Sequence, residues 1–137
     1  MLAQTLIVTS AAIVLLLGAL HLLLTYFSAK FVPRDAALTA HMQCVSPAIS
    51  PHTTLWRAWI GFNASHSLGA MLFGALYGYL GLLHRQMLLD APLLLAIGLL
   101  FLGAMLVLAQ RYWFRVPLLG IGLALLLFAF GTLSLLA

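Results

Sequence analysis

The segment that decides the fold is Leu55–Gly81, with the sequence LWRAWIGFNASHSLGAMLFGALYGYLG. As a helix, it is long enough to cross a hydrocarbon core about 30 Å thick. It nevertheless carries the charge of Arg57 and several polar side chains within an apolar stretch. A polar group in hydrocarbon is costly unless it has a partner, so these side chains must face other protein, water or a ligand.

On a helix, the polar and small residues of this segment share one face. They follow the i, i+3, i+4, i+7 spacing that places side chains on the same side. The face begins with polar side chains and ends with mostly small ones. Its members are Asn63, His66, Ser67, Ala70, Gly74, Tyr77, Gly78 and Gly81. The pattern predicts a membrane helix bundle organised around this face.

The composition places the whole chain in the membrane class. Of its 137 residues, 65% are hydrophobic and 6% are charged, whereas a soluble domain is about 25% charged. The net charge of +4 comes from basic residues in the loops between apolar runs, where they meet anionic lipid. So few charges cannot build a nucleic-acid groove, and no nucleic-acid partner is expected. The single cysteine, Cys44, excludes an internal disulfide and a CxxC redox pair.

The apolar runs predict an all-α fold, an integral membrane four-helix up-down bundle that forms one domain over residues 1–137. A short interfacial helix is expected between helices 1 and 2, at about 33–45. The first run is too long for a signal peptide and lacks its basic start, so it is interpreted as a retained helix. The four transmembrane helices are expected at about 2–28, 55–83, 92–110 and 117–137.

Local signals refine these bounds. Pro33 suits the first turn of the interfacial helix, and Asp35 favours that end through the helix dipole. Thr53 or Thr54 is expected to cap the second transmembrane helix. A short loop is expected from His84 to Pro92.

The basic residues predict the orientation. The first and third loops hold five of them and the second holds only Arg85, so the positive-inside rule places loops 1 and 3 in the cytoplasm and both termini outside. The five are Lys30, Arg34, Arg57, Arg111 and Arg115.

A candidate site follows from depth in the membrane. His21 and His66 each lie about six residues inside a cytoplasmic helix end, roughly 10 Å into the hydrocarbon. Antiparallel packing then predicts Thr25 beside Asn63, and His21 beside His66 and Ser67. The residues expected to bind a small or amphipathic ligand are therefore His21, Thr25, Asn63, His66 and Ser67, with Arg57 at the mouth of the pocket.

The same packing places Gly18 beside Ala70. Together with Gly74 and Gly78, Ala70 forms a small-residue ridge that lets helices approach closely. Packing against a neighbouring helix is the expected role of the ridge.

Three interpretations of the polar cluster stay open. The preferred one is an intramembrane pocket between helices 1 and 2 that opens toward the cytoplasmic leaflet. The alternative is a structural or partner-binding subunit in which the cluster only holds the helices together. Such polar side chains commonly form hydrogen bonds between membrane helices. The third is a bis-histidine haem or metal site. Two histidines without a carboxylate or thiolate are few ligands for a metal ion. No catalytic residue is predicted, the cofactor is unknown, and membrane lipids and a second copy of the chain are possible partners.

Part of the sequence resembles a known family. The run Trp56–Gly69, preceded by His21 and by Pro33, Arg34 and Asp35, resembles a family of small bacterial membrane proteins that share the pattern GFNxSHS. The resemblance covers most of the chain. It implies a four-helix protein of the bacterial inner membrane, and it implies no catalytic role for any residue because that family has no assigned activity.

Overall fold

The computed structural model describes residues 1–136, and every regular element among them is an α-helix. Four of the helices, α1, α3, α5 and α6, are long and apolar enough to cross a membrane. The prediction of an all-helical fold with four long apolar helices is confirmed. The helices are α1 (Leu2–Phe27), α2 (Ala36–Cys44), α3 (Leu55–Leu83), α4 (Arg85–Asp90), α5 (Pro92–Tyr112) and α6 (Arg115–Leu136).

The short helix α2 begins later than its proline predicts. Asp35 is the N-cap, and its carboxylate accepts hydrogen bonds from the backbone N–H groups of Ala37, at 2.8 Å, and Leu38, at 3.4 Å. Because this capping fixes the first turn, the helix starts at Ala36 and Pro33 stays outside it. No residue of α2 is buried.

The predicted cap at the start of α3 is confirmed, and the predicted loop after the end of α3 is corrected. The hydroxyl oxygen of Thr54 accepts from the backbone N–H of Arg57 at 3.3 Å, so Thr54 caps α3 as expected. The predicted loop from 84 to 92 instead contains the short helix α4. Leu88 of α4 is only 1% exposed, and the burial of this side chain explains why a helical turn forms where loop length alone predicts none.

The ends of the last two long helices also differ from the prediction. Helix α5 continues to Tyr112, and α6 begins at Arg115, so that Pro117 lies in its first turn. Proline is tolerated there because the first backbone N–H groups of a helix have no partner within it. The predicted last residue of this helix, Ala137, lies outside the described residues.

The contacts divide the chain into two compact units. The first, here called the apolar unit, consists of residues 1–17 and 70–136. The second, called the polar unit, is Gly18–Gly69. The single domain over residues 1–137 stays a prediction.

Aromatic side chains fill the interior of the apolar unit. Phe128 of α6 is fully buried, and its ring meets Tyr77 of α3 edge to face at 5.1 Å between centroids. Phe73 stacks on Phe101 of α5 at 4.7 Å. A Cβ at Gly98 would lie 2.5 Å from Phe128, so the absence of a side chain at Gly98 makes room for these rings.

Helices α1 and α3 approach closely in the apolar unit. A Cβ at Gly74 would lie 2.6 Å from the carbonyl oxygen of Ala11 and 2.7 Å from the Cβ of Leu15. One turn later, a Cβ at Gly78 would make an ordinary contact of 3.9 Å with Ala11. Ala70, the first residue of the predicted ridge, is buried in the core. The closest backbone approach therefore falls at Gly74.

Candidate functional site

The polar unit brings three of the predicted site residues together. His21 lies on α1, whereas Asn63 and His66 lie one turn apart on α3. The Nε2 atom of His21 is 3.1 Å from the Oδ1 atom of Asn63. The rings of His21 and His66 meet edge to face, with 5.4 Å between their centroids. His21 therefore contacts two polar residues of α3 at once.

The second hydrogen bond of Asn63 fixes the direction of the first. Its Nδ2 group donates to the backbone carbonyl of Trp59 at 2.8 Å. A carbonyl only accepts, so the amide must turn Nδ2 toward Trp59 and Oδ1 toward His21. Nε2 of His21 must then donate, and in the neutral ring Nδ1 becomes the acceptor.

Thr25 and Ser67 support this pair from within their own helices. The hydroxyl of Thr25 donates to the backbone carbonyl of His21 at 2.8 Å. The hydroxyl of Ser67 donates in the same way to Asn63 at 2.8 Å. Both side chains are buried. Their protons are thus used one turn back along the helix. The predicted pairing of His21 with His66 is confirmed by their ring contact, and the hydrogen bond of His21 to Asn63 adds to it. The pairing of Thr25 with Asn63 stays a prediction.

Two further residues belong to the cluster and were not predicted from the sequence. The indole N–H of Trp59 donates to the backbone carbonyl of Phe31 at 3.0 Å. The ring of Phe31 meets that of His21 edge to face at 4.5 Å. Trp59 precedes Asn63 by four residues, so helical spacing alone could have placed it on the same face. Phe31 lies in the connection after α1, where no periodicity applies.

The cluster reaches the surface of the protein. Asn63 is 7% exposed, whereas His21 and His66 are both partly exposed. The arrangement therefore combines a buried amide, whose donor and acceptor are both used, with two imidazole rings at an accessible edge. An imidazole at such an edge can donate to a hydroxyl or carbonyl oxygen, or accept from a hydroxyl.

Arg57 lines an open groove of about 330 Å³, whose lining contains none of His21, Asn63 and His66. Of the predicted site residues, Arg57 is the one that lines this groove. Its neighbours come from the end of α1 and the first turns of α3, and the lining residues are Tyr26, Trp56, Arg57, Ile60 and Gly61.

The two histidines do not fit a shared haem. A haem iron bound by both would need their nitrogens to approach from opposite faces of a porphyrin. The edge-to-face contact of the rings at 5.4 Å leaves no gap for one, and Nε2 of His21 is already bonded to Asn63. Within residues 1–136, no three histidine, cysteine or acidic side chains form a group that could hold a metal ion. His41, Cys44 and His52 are all exposed.

Comparisons of the chain with protein-family models, with curated proteins and with solved structures give no match. The resemblance of Gly61–Ser67 to the GFNxSHS pattern therefore stays a prediction, and the function has to be argued from the geometry of the polar unit.

Proposed function

We propose that the chain is a multi-pass protein of the bacterial inner membrane that binds a small or amphipathic ligand at the polar unit. The four long apolar helices would form an up-down bundle, with the ligand between α1 and α3. The observation that carries this proposal is the hydrogen-bonded pair of His21 and Asn63, in ring contact with His66, on helices that are apolar enough to cross a membrane.

The energetic cost of such groups in a membrane supports a binding role. Ionisable side chains within membrane helices are rare and are functional candidates by default. In the apolar unit, aromatic rings and close contacts at glycine pack the helices, and the side-chain hydrogen bonds between them include those of Ser10 and Tyr77 to backbone carbonyls. Two imidazoles at an accessible edge are more than packing requires, and they suit a ligand that presents a hydroxyl or carbonyl group.

The charge distribution supports the orientation. Five of the six basic residues lie around the loops that follow α1 and α5, which the positive-inside rule places in the cytoplasm. Cys44 is an exposed free thiol at the end of α2. A membrane-impermeant maleimide should therefore label it only after the cytoplasmic side is opened, and labelling in intact spheroplasts would reverse the orientation.

The proposal that a ligand binds here is tested by identifying the small molecules that stay bound to the purified protein. The full chain is extracted in mild detergent, and its bound small molecules are measured by mass spectrometry. We expect a retained molecule that His21→Leu and Asn63→Leu each release while the helical content stays unchanged. Ser65→Leu is the matched control, because Ser65 is exposed on α3 and its hydroxyl donates to its own helix at Phe62.

A structural or partner-binding subunit is the second candidate. It is favoured by the hydrogen bonds of Thr25, Asn63 and Ser67, which satisfy these side chains inside the protein. In this case His21→Leu lowers stability and leaves any retained molecule in place. Obligate co-purification of another chain would support it, whereas a monomer or homo-oligomer that carries a small molecule would support the pocket.

A further inference from the structure

The groove beside Arg57 has the chemistry of a second, separate binding site. Three of its lining residues, Tyr26, Trp56 and Arg57, have side chains with hydrogen-bond donors. Ile60 and Gly61 line it without any polar side-chain atom. A ligand that matches this lining has an anionic head and an apolar body.

The charge of Arg57 is available to such a head. The chain has only two acidic residues, Asp35 and Asp90. Asp35 caps α2 through the N–H groups of Ala37 and Leu38, and Asp90 accepts from Gln86 at 3.0 Å. Arg57 is exposed, and the polar unit carries three basic side chains against one acidic one.

Gly61 leaves open space in the lining of the groove. A Cβ at Gly61 would meet nothing within 4 Å, so the space beside this residue is open. A phosphate held by Arg57 would leave an attached acyl chain free to run along Ile60 and Gly61. Arginine pairs with phosphate through two parallel hydrogen bonds, and basic pockets between membrane helices bind anionic lipid heads on the cytoplasmic side.

We propose that this groove binds the phosphate head of an anionic phospholipid, with one acyl chain against Ile60 and Gly61. The site rests on the membrane placement proposed above. It is independent of the cluster of His21, Asn63 and His66, here called the His21 cluster, since neither His21 nor Asn63 lines the groove.

The test measures lipid retention by the full chain. The purified protein in detergent is incubated with equal amounts of phosphatidylglycerol and phosphatidylcholine that carry the same acyl chains, and retained lipid is counted by mass spectrometry. We expect preferential retention of phosphatidylglycerol. Arg57→Gln, which removes the charge, should reduce it roughly tenfold, the effect of losing one charge-assisted contact. Gly61→Leu, which places a side chain in the groove, should also reduce it.

The control variant is Gly69→Leu. Gly69 is also exposed on α3, and a Cβ there meets nothing within 4 Å, so it tests the same substitution eight residues away from Gly61. It should retain phosphatidylglycerol like the parent. Equal retention of the two lipids, full retention by Arg57→Gln, or equal losses in the two glycine variants would overturn the proposal. Displacement by inorganic phosphate would also overturn it, because it would indicate a site for free anions.

Asn63→Leu separates this proposal from the proposed function. It should leave phosphatidylglycerol retention unchanged. If Arg57→Gln has no effect while Asn63→Leu still releases the small molecule, the groove fails and the His21 cluster stands. The converse result would reject the cluster as the ligand site and keep the groove.

Discussion

The two units hold their helices together in different ways. In the apolar unit, α1 and α3 approach until a Cβ at Gly74 would lie 2.6 Å from the backbone of Ala11. In the polar unit, the same two helices are joined by a side-chain hydrogen bond between His21 and Asn63 at 3.1 Å. One unit is therefore sensitive to the volume of a side chain, and the other to its donors and acceptors.

This difference contrasts two ways of joining a single pair of helices. Close packing and hydrogen bonds both stabilise helix pairs in membranes, where lipid is as apolar as the helices themselves. Packing at Gly74 achieves this with no polar side chain. The hydrogen-bonded contact at His21 costs desolvation of polar groups that packing avoids, and this extra cost is what a binding role explains.

The largest expected effect of a substitution is at Gly74. Gly74→Leu should lower the free energy of unfolding by about 3 kcal/mol, because the larger side chain forces the backbones of α1 and α3 apart. Thermal unfolding in detergent measures the change. Gly69→Leu is the control, because a Cβ at Gly69 meets nothing within 4 Å, and its effect should stay within about 0.5 kcal/mol. A Gly74→Leu protein as stable as the parent would show that this face opens on lipid or a cavity.

A smaller effect is expected from the hydrogen-bonded pair. Asn63→Ala should cost about 1–2 kcal/mol, because it leaves Nε2 of His21 without its acceptor. In a double-mutant cycle with His21→Ala, the two costs should be non-additive by about 1 kcal/mol. Strictly additive costs would mean that the two side chains do not interact, and the contrast between the units would then be lost.

The smallest effect is expected from a hydrogen bond in the apolar unit. The hydroxyl of Ser10 donates to the carbonyl of Ala124 on α6 at 2.6 Å and is fully buried. Ser10→Ala should cost about 0.6 kcal/mol, the average for such contacts between membrane helices. The exposed neighbour Thr9 supplies the control, as Thr9→Ala. If Ser10→Ala costs more than Gly74→Leu, the apolar unit depends on hydrogen bonding after all.

The long helices could be predicted because their signals are local. Hydropathy over about 20 residues identifies each apolar run, and caps such as Thr54 mark the ends. Helix α4 could not be predicted in this way. It depends on the burial of Leu88, and that burial results from tertiary contacts that a short segment does not encode.

The candidate site could be predicted only in part. The spacing of Asn63 and His66, with His21 at matching depth, was enough to expect that they meet. The predicted pairing of His21 with His66 is confirmed by the contact of their rings. The hydrogen bond of His21 to Asn63 was not predicted, because helical spacing defines a face but does not say which neighbour on that face a long side chain reaches. The contact of Phe31 with His21 depends on the path of a connecting segment, which carries no periodic signal.

The most direct test of the binding proposal is to return the retained molecules to protein depleted of them. The small-molecule fraction extracted from the parent protein is added back, and thermal unfolding is followed for the parent, Asn63→Leu and Ser65→Leu. A ligand that binds only the folded state raises the unfolding temperature, and the rise grows with the logarithm of its concentration relative to Kd. We predict a rise for the parent and for Ser65→Leu, and none for Asn63→Leu. An equal rise in all three proteins, or a rise in none, would contradict a ligand site at His21, Asn63 and His66.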